Sequence, residues 1–360
     1  MSKKLVVILT VLLAVTLMAA PGPASAQQKV LLKTQSLFPL AVPAMGQDSV
    51  LLSKWIEETS GGEVILKLYE PGKLVSPSGA LDSVSKGRIQ AVSGQAAMWA
   101  GQMPASPLFC TMPFGPEAPE FTAWLFFGNG MKLYQEMYDK AGYNVKVLPM
   151  MLIPAESSGW FTKEIKTLDD LKGLKMRFYG FGGNVMAKLG VAVSAMPAGE
   201  IFPALEKGVL DATEFGTPNG DEFFGFYKVA KFNYFPGWHQ SLTLGELLIN
   251  KDVWEKKLTE QQRKIIERNC MAMMTWSMAE GEADQAPVLH ANVEKRDVQQ
   301  MYWEPEFLDA YKAAWDEVVA EQCANDAFFK KVWDDLSAFR RNNETWHRFG
   351  YMPREVGPKK

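Results

Sequence analysis

Two hydrophobic rhythms alternate through the first two thirds of the chain, and one of them takes over at the end. Val30, Leu31 and Leu32 open a short apolar run of strand character. After it, Leu52, Trp55 and Ile56 fall at i, i+3 and i+4, one face of a helix for which Asp48 is a candidate N-cap. Gly61 and Gly62 stop that helix, and residues 64–69 read as a second strand. Strand, helix, strand is the order of an α/β layer.

The device recurs. Residues 81–91 form a short helix stopped by Lys86-Gly87 and followed at once by a strand, and residues 205–212 repeat it around Lys207-Gly208. Glycine suits the position because it takes the left-handed conformation at little cost. Two such units, more than a hundred residues apart, predict two lobes of similar architecture. Between them, residues 174–179 read as a strand, Gly180, Phe181, Gly182 and Gly183 as a turn, and residues 184–189 as a helix. From Thr259, where Thr259 and Gln262 make a capping box, helical periodicity dominates to about Arg341, with breaks expected near Pro287 and Pro305.

The amino terminus carries an address. Lys3 and Lys4 precede an apolar run over 5–20, and Ala24-Ser25-Ala26 presents small residues where a signal peptidase cuts, so export with cleavage after Ala26 is expected. Removing 26 of 360 residues leaves 334, and losing the two lysines takes the formal charge from −3 to −5. That length suits two lobes, and a mildly acidic chain without a basic arm argues against a nucleic-acid partner. Cys110, Cys270 and Cys323 lie far apart, permit one disulfide at most, and are read as small buried hydrophobes.

Enzyme signatures are missing. The sequence has no GxSxG, no HExxH, no Walker loop and no metal-spaced Cys/His cluster, and the 180–183 glycines lack the dinucleotide spacing. The three histidines, His239, His290 and His347, are scattered. Glu156 and Glu214, in a chain with 11 tryptophans, leave a secreted carbohydrate-active enzyme as the competing class.

Lys175-Met176-Arg177, the pattern Pro197, Glu200, Ala204-Leu205, Lys207-Gly208, Asp211-Ala212, and the stretch from Gly225-Phe226-Tyr227 to Pro236-Gly237-Trp238-His239-Gln240 resemble the solute-binding subunits of tripartite ATP-independent periplasmic (TRAP) transporters, the DctP family. The last segments are similar to the branch that receives 2-oxo acids. The resemblance covers nearly all of the mature chain. It implies a two-lobed periplasmic binding protein of type II-like α/β fold, with hinge strands, a long connecting helix and a helical C-terminal region. Lobe I is expected over 27–151 plus about 242–280, and lobe II with the C-terminal helices over 152–241 plus about 281–345. It further implies a non-enzymatic periplasmic receptor for a small 2-oxo or 2-hydroxy monocarboxylate, with a C4-dicarboxylate as the alternative ligand. Its partners would be the small and large TRAP membrane subunits, and a homodimer is left open.

The residues themselves point to the same chemistry. Arg177 stands at a strand end before a glycine turn, where open α/β sheets place ligands, and a guanidinium grips a carboxylate with two parallel bonds. Glu214 and Phe215 follow the second helix-Gly-strand unit at the same kind of strand end, and Glu156 sits in a polar turn where a crossover between lobes is expected. Phe181, Phe215 and Trp238 are candidate walls, whereas Trp124, Phe126, Phe127, Trp254 and Trp315 are read as core. If Glu156, Glu214 and a ligand carboxylate converge with only Arg177 opposite, three negatives face one positive, which predicts a bound cation. The resemblance assigns its ligation to Glu214, the Phe215 carbonyl and Gln240, with Glu156 beside them. Hard oxygen donors select Na+ or Ca2+.

Overall fold

The computed structural model describes residues 29–351, so the expected export signal lies outside the described residues. Eleven strands run in chain order: β1 Val30–Ser36, β2 Val64–Tyr69, β3 Ala91–Gln95, β4 Val145–Ile153, β5 Gly159–Phe161, β6 Lys175–Arg177, β7 Ala192–Ser194, β8 Ala212–Thr213, β9 Phe232–Phe235, β10 Thr243–Asn250 and β11 Gln299–Tyr302. They form two sheets, ordered β2-β1-β3-β10-β4 and β11-β9-β5-β8-β6-β7. β1, β2 and β3 are parallel, while β10 runs antiparallel between β3 and β4. In the second sheet β6, β7 and β8 are parallel and β5 is antiparallel to both β8 and β9.

The repeated helix-Lys-Gly-strand device holds in three dimensions. Gly87 and Gly208 have φ of +71° and +68°, and the strands they lead to, β3 and β8, lie at inner positions of different sheets. Two crossings join the sheets directly: β4 leads through residues 154–158 to β5, and β9 leads through 236–242 to β10. The crossings touch, since a Cβ on Gly237 would stand 2.2 Å from the Glu156 carbonyl oxygen.

The helix Glu260–Arg296 runs beside both sheets, with 37 residues and so a length of about 55 Å. It packs on β4 and on the helix Gly46–Thr59 toward the first sheet, and on the helix Pro218–Phe224 and β11 toward the second. It passes unbroken through Pro287, contrary to the break expected there. The carbonyl that proline frees is that of Ala283, an exposed residue, so water can take the lost bond. Asp48, expected as a cap, is the third residue of its helix, whose N-cap is Met45. The Gly180–Gly183 run is the first turn of the helix Gly180–Lys188 and not a lead-in to it.

The helix Pro305–Asn325 packs on Gly180–Lys188 beside the second sheet. The polar contacts of the last helix, Ala327–Gly350, run to the helices beside the first sheet: Asp335 accepts from Trp124 Nε1 at 2.8 Å and Asn129 at 2.7 Å, and Lys331 pairs with Glu136 at 2.7 Å. Trp124, Trp254 and Trp315 are buried as expected, but Phe127 is 92% exposed because it faces away at the end of its helix, Ala118–Phe127. All three cysteines are free, and burial pushes the Cys110 thiol up to about 12. No helix among the described residues is long and apolar enough to cross a membrane.

Candidate ligand and cation site

Strand pairing builds the first half of the site. β6 and β8 are parallel neighbours with Arg177 opposite Thr213, so both strands end at the same level and Glu214 emerges beside Arg177. The Glu214 amide donates to the Arg177 carbonyl at 3.0 Å. Arg177 Nη1 returns two bonds, to the Glu214 carbonyl oxygen and to Glu214 Oε2, the second at 2.9 Å. Both side chains are buried, and Nη2 makes no hydrogen bond among the described residues.

The crossings supply the second half. Glu156 lies on the β4–β5 crossing and Gln240 on the β9–β10 crossing. The Glu156 amide donates to the Gln240 carbonyl at 3.3 Å, and Gln240 Nε2 donates to Glu156 Oε1 and to Thr243 Oγ1. His239, one of three histidines scattered along the sequence, arrives with Gln240. Its Nε2 stands 3.9 Å from Glu156 Oε2 and 3.8 Å from Glu214 Oε1.

These groups face a cavity of about 560 Å³ lined from both sheets. Arg177, Glu156, Glu214, Phe215, Gln240 and His239 all contribute to its wall. So does Phe181, although its ring packs at 5.4 Å on Trp315 and 5.7 Å on Phe329. Trp238 is not part of the wall: its indole stacks on Tyr311 at 4.5 Å, inside an aromatic group that includes Phe178. From the first sheet's side come Leu37, Phe38, Met45 and Met98, which make much of the remaining lining apolar.

The electrostatics are unbalanced. Burial, together with the neighbouring Glu214 and Asp221, pushes Glu156 well above the usual carboxyl range, with Arg177 opposing. Burial also raises Glu214, partly offset by its Arg177 partner. His239 is driven down to about 3 by burial and by Arg177, so it is neutral at pH 7 and adds no positive charge. Its two nitrogens and Glu156 Oε2 are buried with no hydrogen-bond partner. One ligand atom each from Glu156, Glu214 and His239 lie within 4.8 Å of one another. Buried polar atoms that find no partner in the protein, converging on one point where two acids disfavoured as carboxylates face a single cationic side chain, fit a cation that would let both ionise. The donor set differs from the all-oxygen one expected, because an imidazole stands in it.

A family model for bacterial extracellular solute-binding protein, family 7 (DctP), matches residues 43–326. A monocarboxylate 2-oxoacid-binding periplasmic protein of Nostoc sp. is 33% identical over 308 residues, which is 84% of this chain and 82% of that one. Among solved structures, a TRAP solute-binding protein of Bordetella bronchiseptica, with copurified calcium and picolinate, superposes with a TM-score of 0.85 at 28% identity, covering 89% of this chain and 94% of that one. One from Pseudoalteromonas atlantica, with sodium and pyruvate, gives 0.84 at 29% identity over 89% and 97% of the two chains. One from Colwellia psychrerythraea, with calcium and pyruvate, gives the same values. With two sheets facing one cavity, two direct crossings and a helix along both, the chain belongs to the DctP family of extracytoplasmic solute-binding proteins, as a TRAP-type solute receptor and not an enzyme.

Proposed function

We propose that the protein captures a small 2-oxo or 2-hydroxy monocarboxylate together with a cation in the cleft between its sheets, and delivers both to the two membrane subunits of a TRAP transporter. The observation that carries this reading is the convergence of Arg177, Glu156, Glu214, Gln240 and His239 on one cavity, with partnerless buried atoms among them. In this reading Arg177 keeps Nη1 on Glu214 and offers Nη2 to the ligand carboxylate. Glu214, Glu156, the Phe215 carbonyl, Gln240 and neutral His239 surround the cation, which supplies a positive centre for the carboxylate and the adjacent oxygen. Sodium or calcium, the ions of the pyruvate-bound relatives, suits the carboxylates.

The reading extends to the whole molecule. Lobe I spans 27–151 and about 242–280, lobe II spans 152–241 and about 281–345, and they close on the ligand about the crossings. Export places the mature protein in the periplasm after cleavage behind Ala26. Pairing of two copies, as in the Bordetella dimer, belongs to it as well. Calorimetric titration with pyruvate, lactate and succinate, each in calcium, in sodium and after chelation in a sodium-free buffer, tests it. Binding of a monocarboxylate that needs the cation is expected, and at 100 times Kd the ligand stabilises the fold by about 2.7 kcal/mol. Preference for succinate assigns the dicarboxylate alternative, and binding by none of the acids overturns the reading.

A further inference from the structure

Asp221 lies behind the site and lines no part of the cavity, yet it bonds to both segments that carry the acidic groups. The residue is fully buried in the helix Pro218–Phe224. Its Oδ1 accepts the Gly216 amide at 3.1 Å, and its Oδ2 accepts Ser157 Oγ at 3.2 Å and Trp160 Nε1 at 2.8 Å. Gly216 directly follows Glu214 and Phe215, and Ser157 directly follows Glu156. We propose that Asp221 is a positioning residue for cation binding, which sets the distance between Glu156 and Glu214 and turns the Phe215 carbonyl toward the cleft.

The carbonyl and the amide of one trans peptide point in opposite directions. Holding the Gly216 amide on Asp221 therefore turns the Phe215 carbonyl away from Asp221. Gly216 stands between the two acids, since a Cβ there would lie 4.0 Å from both Asp221 Oδ1 and Glu156 Oε1. Three donors converge on Asp221, and a carboxylate meets them with two acceptor oxygens. An asparagine has one acceptor oxygen and would turn an NH2 toward at least one of the donors. Glu156 and Glu214 come from different segments, and Asp221 binds the residue after the first and the residue two after the second. Holding the groups around metal ligands in this way supports affinity, with typical losses of 10–100-fold on removal.

The inference rests on the cation reading above, and the test separates the two. Wild-type protein and Asp221→Asn, both stripped by chelation in a sodium-free buffer, are titrated with calcium chloride alone and with sodium chloride alone, and their cation-free melting is recorded. The expected result is a calcium dissociation constant raised at least tenfold in a variant that is folded before calcium is added. If Asp221→Asn does not fold, Ser157→Ala removes one of the three bonds, and a loss of roughly fivefold is expected. A variant that melts lower but binds calcium within twofold of wild type marks Asp221 as purely structural and overturns the proposal. Wild-type protein that binds neither calcium nor sodium overturns it together with the cation reading.

Discussion

At the scale of single residues, the site is made of groups that are costly to bury alone. Arg177 and Glu214 satisfy one another, so Arg177→Ala leaves an acid without its partner, and we expect a loss of roughly 3 kcal/mol in chemical denaturation as well as of ligand binding. Arg177→Lys keeps a charge but not the planar fork that, in the proposed function, serves Glu214 and the ligand together. It should remain folded and bind the acid on the order of 100-fold more weakly by calorimetry. Asp48 offers a prediction away from the site. Burial, with Glu280 and Asp284 facing it, raises it from 3.8 to about 7. An acid raised in the folded state is protonated there while the unfolded chain has already ionised. Stability therefore falls as pH rises from about 4 to about 7, and the penalty is complete above that window. Asp48→Asn should remove up to about 4 kcal/mol of penalty at pH 8 and little at pH 4, measured by denaturant titration at both values.

At the scale of elements, the crossings work by close approach. Gly237 meets the Glu156 carbonyl so tightly that any Cβ must displace backbone. Gly237→Ala should part the two crossings and move Glu156 and Gln240 relative to Arg177. We expect a cost of about 1–3 kcal/mol and at least a tenfold loss of acid affinity. Gly101→Ala, at a position with nothing within 4 Å, is the control and should change neither. Gly281 plays a similar part in the long helix, where a Cβ would lie 2.5 Å from Pro154 Cδ at the start of the first crossing. The helix and the crossing are thereby held against one another.

At the scale of the whole molecule, the cavity wall takes Leu37, Met45 and Met98 from one side and Arg177, Glu214 and Phe215 from the other. In the proposed function a ligand surrounded in this way enters and leaves as the sides separate. Small-angle scattering should show a smaller radius of gyration with saturating acid and cation than without either, and an unchanged radius would count against closure. The last helix sets a limit on that motion: Asp335 and Lys331 fasten it to the first lobe's helices, while Phe329 and Trp333 pack on Phe181 and Trp315 of the second. Closure, as proposed, would slide this helix or carry it with one lobe.

What the chain determined by itself was local. The order of strands and helices, the Lys-Gly stops before β3 and β8, and the placing of Arg177 and Glu214 at strand ends follow from periodicity and from glycine's backbone freedom, which depend on neighbours in sequence. The family resemblance added Gln240, which no periodicity marks. The placement of His239 and Asp221 was not legible, because it depends on where two chain crossings meet and on which donors a fold brings to one carboxylate. Trp238 and His239 make the point within two residues. Trp238 joins the aromatic stack on Tyr311, while His239 places its imidazole between Glu156 and Glu214. The signal was present, in a histidine beside two residues already singled out, but side-chain direction in an aperiodic crossing is set by tertiary contacts. Only the packed molecule decides which neighbour becomes core and which faces the cavity.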